Sequence, residues 1–346
     1  MLSARVVTSQ PRRSGRALLL RLASQLAKVG VSAAALFLVV RQVDAAEMMK
    51  ALSEADRTEV LAVIGIYLVG QALTAWRWRM IAARVGFVEP LSDFVRYYFI
   101  GMFFNNFGPS TLGGDVVRAL YLGASAGRRA VALHTVFFDR LSGLVMLVFV
   151  AVGAVALFGN FGLPSSMIAM VVATGIGMGV GWFLLPPLAR RFLAPNGRVN
   201  RLLERDLKPF WDDRELLTRT AAISVCFHLL QCSSLILLGD AVGMHVDWRY
   251  YFIFHPLVSV LSALPVSVAG LGIREAGYVW FLKRQGIDGH TAMAFGILWF
   301  AVLLASSAVG GIVYLWSGAA VPTLRGHARH DAPAQEPAAA GERPAA

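Results

Sequence analysis

Six runs of this chain, at 22–40, 59–76, 131–158, 165–185, 217–239 and 290–316, are apolar on every side rather than along one stripe. Each is long enough to cross a hydrocarbon layer about 30 Å thick as a helix. A membrane β-barrel would instead alternate apolar and polar residues. The pattern predicts an all-α polytopic membrane protein with about six full spans. Two further apolar stretches, 91–123 and 249–284, are each interrupted by proline and glycine and then resume with charge. They predict re-entrant broken-helix hairpins. The chain divides into a basic N-terminal tail at 1–20, one transmembrane domain at 21–318, and an Ala/Pro-rich tail at 319–346 expected to be disordered.

Arginine and lysine give the orientation. They crowd the N-terminal tail, the segment "WRWRMIAAR" at 76–84, Arg128 and Arg129, and the loop 187–216, whereas "GNFGLPSS" at 159–166 carries no charge. The positive-inside rule places these basic segments and both termini in the cytoplasm of a cell (inner) membrane protein. Arg41, Lys50, Arg57, Arg249, Lys283 and Arg284 fall on the other side. Both flanks of the first hairpin then lie inside and both flanks of the second outside, so the two approach the midplane from opposite faces. In the loop 187–216, Val199, Leu202, Leu203, Leu207, Phe210 and Trp211 recur at helical spacing. They suit either a helix on the inner leaflet or one packed on the protein's own cytoplasmic face.

The hairpins also resemble each other. Arg96 to Ile100 and Arg249 to Ile253 both read "RYYFI", and Pro109, Gly114 and Arg118 match Pro265, Gly270 and Arg274 in spacing. Aligning both elements needs a three-residue insertion. Opposite topology with similar sequence favours an inverted repeat, an architecture shared by many secondary transporters.

Composition narrows the function. The chain is 57% hydrophobic and 15% charged, with a formal charge of +11. That charge does not indicate nucleic acid, because the basic residues lie between apolar runs, where loops meet anionic headgroups. Cys226 and Cys232 sit inside one apolar run and read as small core thiols rather than a metal or disulfide pattern.

Chemistry concentrates at the two breaks. In "GPSTLGGDVVR", Gly108 and Pro109 break the helix, and Gly113 and Gly114 allow backbone conformations that other residues resist. Freed backbone groups in hydrocarbon must be buried in protein or face a wet cavity. Asp115 lies in the first turn of the returning half-helix and Arg118 three residues on, on the same face. In "LPVSVAGLGIREAG", Pro265, Gly270 and Gly272 break the helix, Ser267 offers a hydroxyl, and Arg274 and Glu275 open the return. These two point about 100° apart, so each is expected to pair elsewhere, with Asp115 and Arg118 the obvious partners. Asp139 and Arg140 form a third pair whose depth depends on where their helix begins. The six charges balance, which predicts one shared polar site at the membrane midplane. No metal site and no cofactor are expected.

The motifs "AWRW" at 75–78, "GPSTLGGDVVRALYL" at 108–122, "FDRLSGL" at 138–144 and "LPVSVAGLGIREAG" at 264–277 resemble the flippase-like membrane region of lysylphosphatidylglycerol synthases and its stand-alone relatives. Ala269 stands where that family often has glycine. The resemblance implies a lipid flippase or transporter. With no soluble domain after residue 318, aminoacyl transfer is not expected. Asp115, Arg118, Arg274 and Glu275 would line the site, with Asp139, Arg140 and Ser267 contributing, and arginine would hold a phosphate through its two-oxygen fork. Membrane lipids are the expected partners, with envelope-lipid synthesis enzymes as further candidates. Two rivals stand beside this: a membrane-embedded enzyme acting on a lipid phosphate, and a non-transporting scaffold for envelope synthesis.

Overall fold

The computed structural model describes residues 45–107, 113–125, 127–192, 208–263 and 270–317. Every regular element among them is an α-helix. In chain order these are α1 (Ala45–Glu54), α2 (Arg57–Arg84), α3 (Leu91–Phe107), α4 (Gly113–Ser125), α5 (Arg129–Phe158), α6 (Ser165–Phe192), α7 (Lys208–Trp211), α8 (Arg214–Ala241), α9 (Trp248–Ala263), α10 (Ile273–Lys283) and α11 (Gly289–Ser317). Five helices, α2, α5, α6, α8 and α11, are long and apolar enough to cross a membrane. They coincide with five of the six predicted spans. The sixth, 22–40, and both tails lie outside the described residues.

Aspartates set where these helices start. Asp56 accepts from the amides of Thr58 and Glu59 at 2.7 and 3.2 Å, and Asp213 from Leu216 at 3.0 Å. Each carboxylate satisfies amides that the first helical turn leaves without partners. α2 and α8 lie antiparallel, joined at one end by the Asp56 amide to the Ala241 carbonyl (3.0 Å) and at the other by an Arg84–Asp213 ion pair (2.9 Å).

The predicted hairpins are present. α3 has 17 residues and α4 has 13; α9 has 16 and α10 has 11. At 1.5 Å per residue even the longest arm reaches about 25 Å, short of a full crossing. In the first hairpin Tyr97 stacks on Tyr121 at 5.4 Å, and nearer the tip Asn105 Oδ1 accepts from the Gly114 amide at 2.9 Å. In the second, the Tyr250 hydroxyl donates to the Phe281 carbonyl at 3.0 Å, and His255 meets the Tyr278 hydroxyl at 3.1 Å. Residue numbers rise on one arm as they fall on the other, so both pairs of arms are antiparallel.

α11 measures their opposition. Along it from its N-terminus come Phe295, against Tyr278, then Gly296, against Glu275, then Phe300, under Arg274. Further on, Ser307 accepts from Asn106 at 2.7 Å and Tyr314 touches Phe104. The arms of hairpin 2 therefore run from one end of α11 and those of hairpin 1 from the other, both toward its middle. α5 repeats the pattern: Gly123 abuts Arg129 at its start, and Trp248 packs on Phe158 at its end.

Two details of the repeat differ from the sequence reading. Tyr250 stands 153 residues after Tyr97, but its cross-hairpin partner Phe281 stands 160 after Tyr121. The returning arms are thus offset by seven residues relative to the outgoing ones, not three. Counted from the first residue of each returning helix, Asp115 and Glu275 both hold the third position, while Arg118 corresponds to Tyr278. The shared glycine–arginine spacing is displaced by one helical turn from the structural correspondence. Gly114 is also helical rather than unusual in conformation. Its role is close approach: a Cβ there would fall on the Gly101 carbonyl of α3.

In the loop 187–216, residues 193–207, which include Val199, Leu202, Leu203 and Leu207, lie outside the described residues. Phe210 and Trp211 pack on the protein itself. Phe210 is fully buried and stacks on Phe138 at 4.8 Å, while Trp211 meets Trp182 at 5.3 Å. Cys232 is buried but Cys226 is exposed, so only one of the two is a core thiol.

Candidate functional site

Where hairpin 1 meets α2, α5 and α8, five charged side chains form a chain. Arg77 Nε donates to Asp139 Oδ1 at 2.8 Å and its Nη2 to the Asp139 carbonyl at 3.1 Å, while Nη1 donates to Ser224 Oγ at 2.7 Å. The other Asp139 oxygen, Oδ2, accepts from Arg118 Nη1 and Nη2 at 3.2 and 3.1 Å. Arg118 Nε donates to Asp115 Oδ1 at 3.1 Å. Asp115 Oδ2 in turn holds Arg140 at 2.8 Å. The order is Arg77–Asp139–Arg118–Asp115–Arg140.

Each link has a local cause. Asp115 and Arg118 are three apart on α4 and face the same way. Gly143 leaves room for Arg77, whose Nη1 would lie 3.1 Å from a Cβ there. Arg118 is clamped between the rings of Trp78 and Tyr98, at 4.8 and 4.6 Å from their centroids, and Trp78 is fixed by donating to Thr135 at 2.9 Å. α5 starts at Arg129, so Asp139 lies ten residues, about 15 Å, inside the helix. Asp139 is buried within the protein, whereas Arg140 is exposed.

The exposures separate scaffold from surface. The side chains of Arg77, Arg118 and Asp139 are 5%, 3% and 1% exposed, against 12% for Asp115 and 53% for Arg140. An unpaired charge at a helix centre costs about 2.5–3.5 kcal/mol on insertion scales. Asp139 offsets two such arginines at once. Arg118 has every guanidinium nitrogen engaged and both faces covered, so it is a structural cation. Arg140 is the exposed member of the chain, paired with the mostly buried Asp115.

Sequence reasoning missed Arg77, reading it as part of an interfacial basic segment. Gln71 and Thr74, buried on the same helix at three-residue spacing before it, mark a polar stripe facing inward.

The single balanced set of six charges is not what forms. Asp115 and Arg118 are engaged by Asp139 and Arg140 rather than by hairpin 2. Glu275 caps its own helix: its Oε2 accepts from the Gly272 amide at 2.6 Å. Arg274 lies over the Phe300 ring at 5.7 Å. With Arg77 included, the hairpin 1 chain holds three cations and two anions. Gly270 and Gly272 have φ of +75° and +81°, conformations that suit glycine, as the sequence implied. Gly113 opens α4. Gly108, Pro109, Pro265 and Ser267 lie outside the described residues.

An all-helical membrane protein with two opposed re-entrant hairpins and a buried arginine–aspartate chain is the class this arrangement defines. Residues 25–311 match the family model described as the lysylphosphatidylglycerol synthase TM region, and the chain belongs to that family. It is 24% identical over 296 residues to a UPF0104 membrane protein of Methanothermobacter thermautotrophicus, covering 77% of this chain and 86% of that one. It is also 25% identical over 323 residues to a protein of Haloferax volcanii named glycosyltransferase AglD. That match covers 80% of this chain but only 52% of AglD, so the chain spans about half the length of that relative.

Proposed function

We propose that the protein moves a lipid with a phosphate-containing headgroup between leaflets and carries out no chemical conversion of it. The observation that carries this reading is the Asp115–Arg140 pair. It is an accessible ion pair anchored on a buried ionic scaffold, inside a membrane helix and beside the meeting point of two opposed half-crossings. A headgroup phosphate reaching Arg140 replaces Asp115 in its guanidinium fork. The acyl chains stay in the surrounding lipid. The basic end of the bundle, with Arg84, Arg128 and Arg129, faces the cytoplasm, and both termini lie there. Membrane lipids are the partners, and enzymes of envelope-lipid synthesis are the candidate suppliers.

The test is reconstitution of the full chain into liposomes with a panel of headgroup-labelled lipids. Transfer of a labelled phospholipid that Arg140→Gln abolishes in a folded, inserted protein is the expected result. Equal transfer by wild type and Arg140→Gln overturns the site assignment. The glycosyltransferase name of one relative motivates a second reading, a membrane part of a glycolipid-synthesising enzyme. Chemical conversion of a lipid in the same liposomes would favour it, and neither transfer nor conversion would favour a scaffold.

A further inference from the structure

Three cations at one end of the bundle take no part in the ion chain of hairpin 1. Hairpin 2 opens where α9 begins and α10 ends, and the Tyr250 hydroxyl, donating to the Phe281 carbonyl at 3.0 Å, ties those two ends together. Arg249 is the second residue of α9, Lys283 is the last of α10, and Arg284 follows it. All three are exposed. Among the described residues none of them stands in an ion pair. The carboxylates that flank the hairpin accept from amides at helix starts instead: Asp247 Oδ1 from Arg249 at 2.9 Å, and Asp288 Oδ1 from His290 and Thr291 at 2.9 and 2.8 Å.

Two of these cations lie on tryptophan. Arg284 Cζ is 3.6 Å from the ring centroid of Trp280, one turn back along the chain, and Arg249 Cζ is 5.6 Å from that of Trp248. Both rings are open to the surroundings, Trp248 at 49% and Trp280 at 37% exposed. Such tryptophans suit the headgroup level of a bilayer, and a guanidinium lying on one keeps its N–H edges for a second partner. Helix dipoles do not account for the set. Lys283 and Arg284 sit at the favourable C-terminal end of α10, but Arg249 sits in the first turn of α9, where a cation is disfavoured. Topology does not account for it either. Trp248 packs on the end of α5, whereas Arg128 and Arg129 mark its start, so the three cations run against the bias that the basic loops follow. An anion held at this level satisfies all three.

We propose that this end of hairpin 2 is a docking surface for net-anionic phospholipids of the leaflet it faces. Arg284 on Trp280 and Arg249 on Trp248 hold phosphate oxygens, and Lys283 adds to the attraction. Beside Trp248 lie Phe158 and Phe252, at 5.5 and 5.9 Å, an apolar surface of the kind that acyl chains cover. The phosphate is a lipid's rather than a dissolved ion's, because the cations end the two apolar arms of a membrane hairpin and stack on the ring type that marks the interface. The surface goes beyond the transport reading and does not depend on it, needing only that the chain lies in a bilayer.

The test places the full chain in phosphatidylcholine vesicles doped with phosphatidylglycerol or phosphatidylcholine that carries a photoactivatable diazirine at the headgroup end of an acyl chain. Mapping the crosslinked peptides by mass spectrometry reads this end of the protein apart from the basic end opposite. Lipid transfer plays no part in the readout, so its failure and the failure of the transport reading are separate results. Residues 245–252 and 278–286 should be labelled about fivefold more by the phosphatidylglycerol probe, as expected for the attraction of one cation near the surface. Arg249→Gln with Arg284→Gln should bring the two probes level. Lys50→Gln with Arg57→Gln removes two exposed charges from the same end and should leave the preference unchanged. Equal labelling of the wild type by both probes, or an equal fall in both double variants, overturns the proposal. Loss of the preference in excess inorganic phosphate would make this a site for dissolved anions, and no labelling by either probe would remove it from headgroup level; each overturns the proposal. Should the double variant fail to fold, Arg284→Lys keeps the charge but not the planar stack and must at least halve the preference; an unchanged preference overturns the stacked geometry.

Discussion

The two hairpins solve one backbone problem with different chemistry. Hairpin 1 is drawn together by glycine contacts and ions: Gly114 on Gly101, Gly310 of α11 on Phe99, and an arginine–aspartate chain at its flank. Hairpin 2 is held by rings. Tyr250, Tyr251, Phe254, Tyr278 and Phe281 pack on each other and on Phe295, and the polar groups among them are histidine and tyrosine rather than salt bridges. Small residues permit the close backbone approach that helix association in lipid relies on. Aromatic packing fills volume without demanding charge compensation. The comparison separates a half held by ions and close backbone contact from a half held by aromatic packing.

The largest expected effect is on hairpin 1. Asp139→Asn leaves both Arg77 and Arg118 short of their carboxylate and should cost about 3–5 kcal/mol, the usual loss when a buried ion pair is broken. Tyr278→Phe in hairpin 2 removes one neutral hydrogen bond and should cost about 1 kcal/mol. Thermal unfolding in detergent compares them, and equal losses would erase the distinction drawn between the two halves.

Glycine contacts give the next contrast. Gly114→Ala places a methyl on a backbone carbonyl, which cannot move without the helix, and should cost about 3 kcal/mol. In Gly277→Ala the new methyl meets Val258 side-chain atoms at 3.0 and 3.2 Å, a contact that a rotamer adjustment relieves for about 1 kcal/mol. The same unfolding measurement ranks the pair, and the reverse order would refute the close-approach account.

Smaller still is the stability change in Arg140→Gln, about 1 kcal/mol or less for a pair so exposed. If the proposed transport reading holds, its effect falls on lipid transfer, and a stable protein without that transfer is expected. Loss of stability comparable to Asp139→Asn would make Arg140 another structural cation.

The smallest effect lies outside the membrane, at the start of α11 beside hairpin 2. Slight burial of Asp288 raises its pKa, but donation from the Thr291 amide and hydroxyl and the His290 amide outweighs this and holds it below the ordinary aspartate value. The folded carboxyl is therefore the stronger acid. Its stabilisation is complete above the unfolded pKa and disappears as pH falls through the folded one. Asp288→Ala should cost about 0.5–1 kcal/mol near neutrality, as for other N-caps. The difference from wild type should close on acidification below the ordinary aspartate value of 3.8; a gap that widens there would contradict the sign.

Apolar runs, proline and glycine breaks, and the basic loops made the long spans and both hairpins legible, because length and solvation in a bilayer act on each segment locally. The same local rules exposed Asp115 with Arg118, which share a face of one helix. They could not supply the partners across helices. Arg77, Asp139 and Ser224 stand on α2, α5 and α8, and only packing brings them within 3 Å. The one-turn displacement between Arg118 and Arg274 is likewise a matter of how far each returning helix slides along its outgoing arm. Tertiary structure also divided the charges into a clamped Arg118 and an accessible Arg140, since exposure depends on what neighbouring helices cover. Residue type and spacing determined that charge would enter the membrane interior; the arrangement of packed helices decided which charges meet.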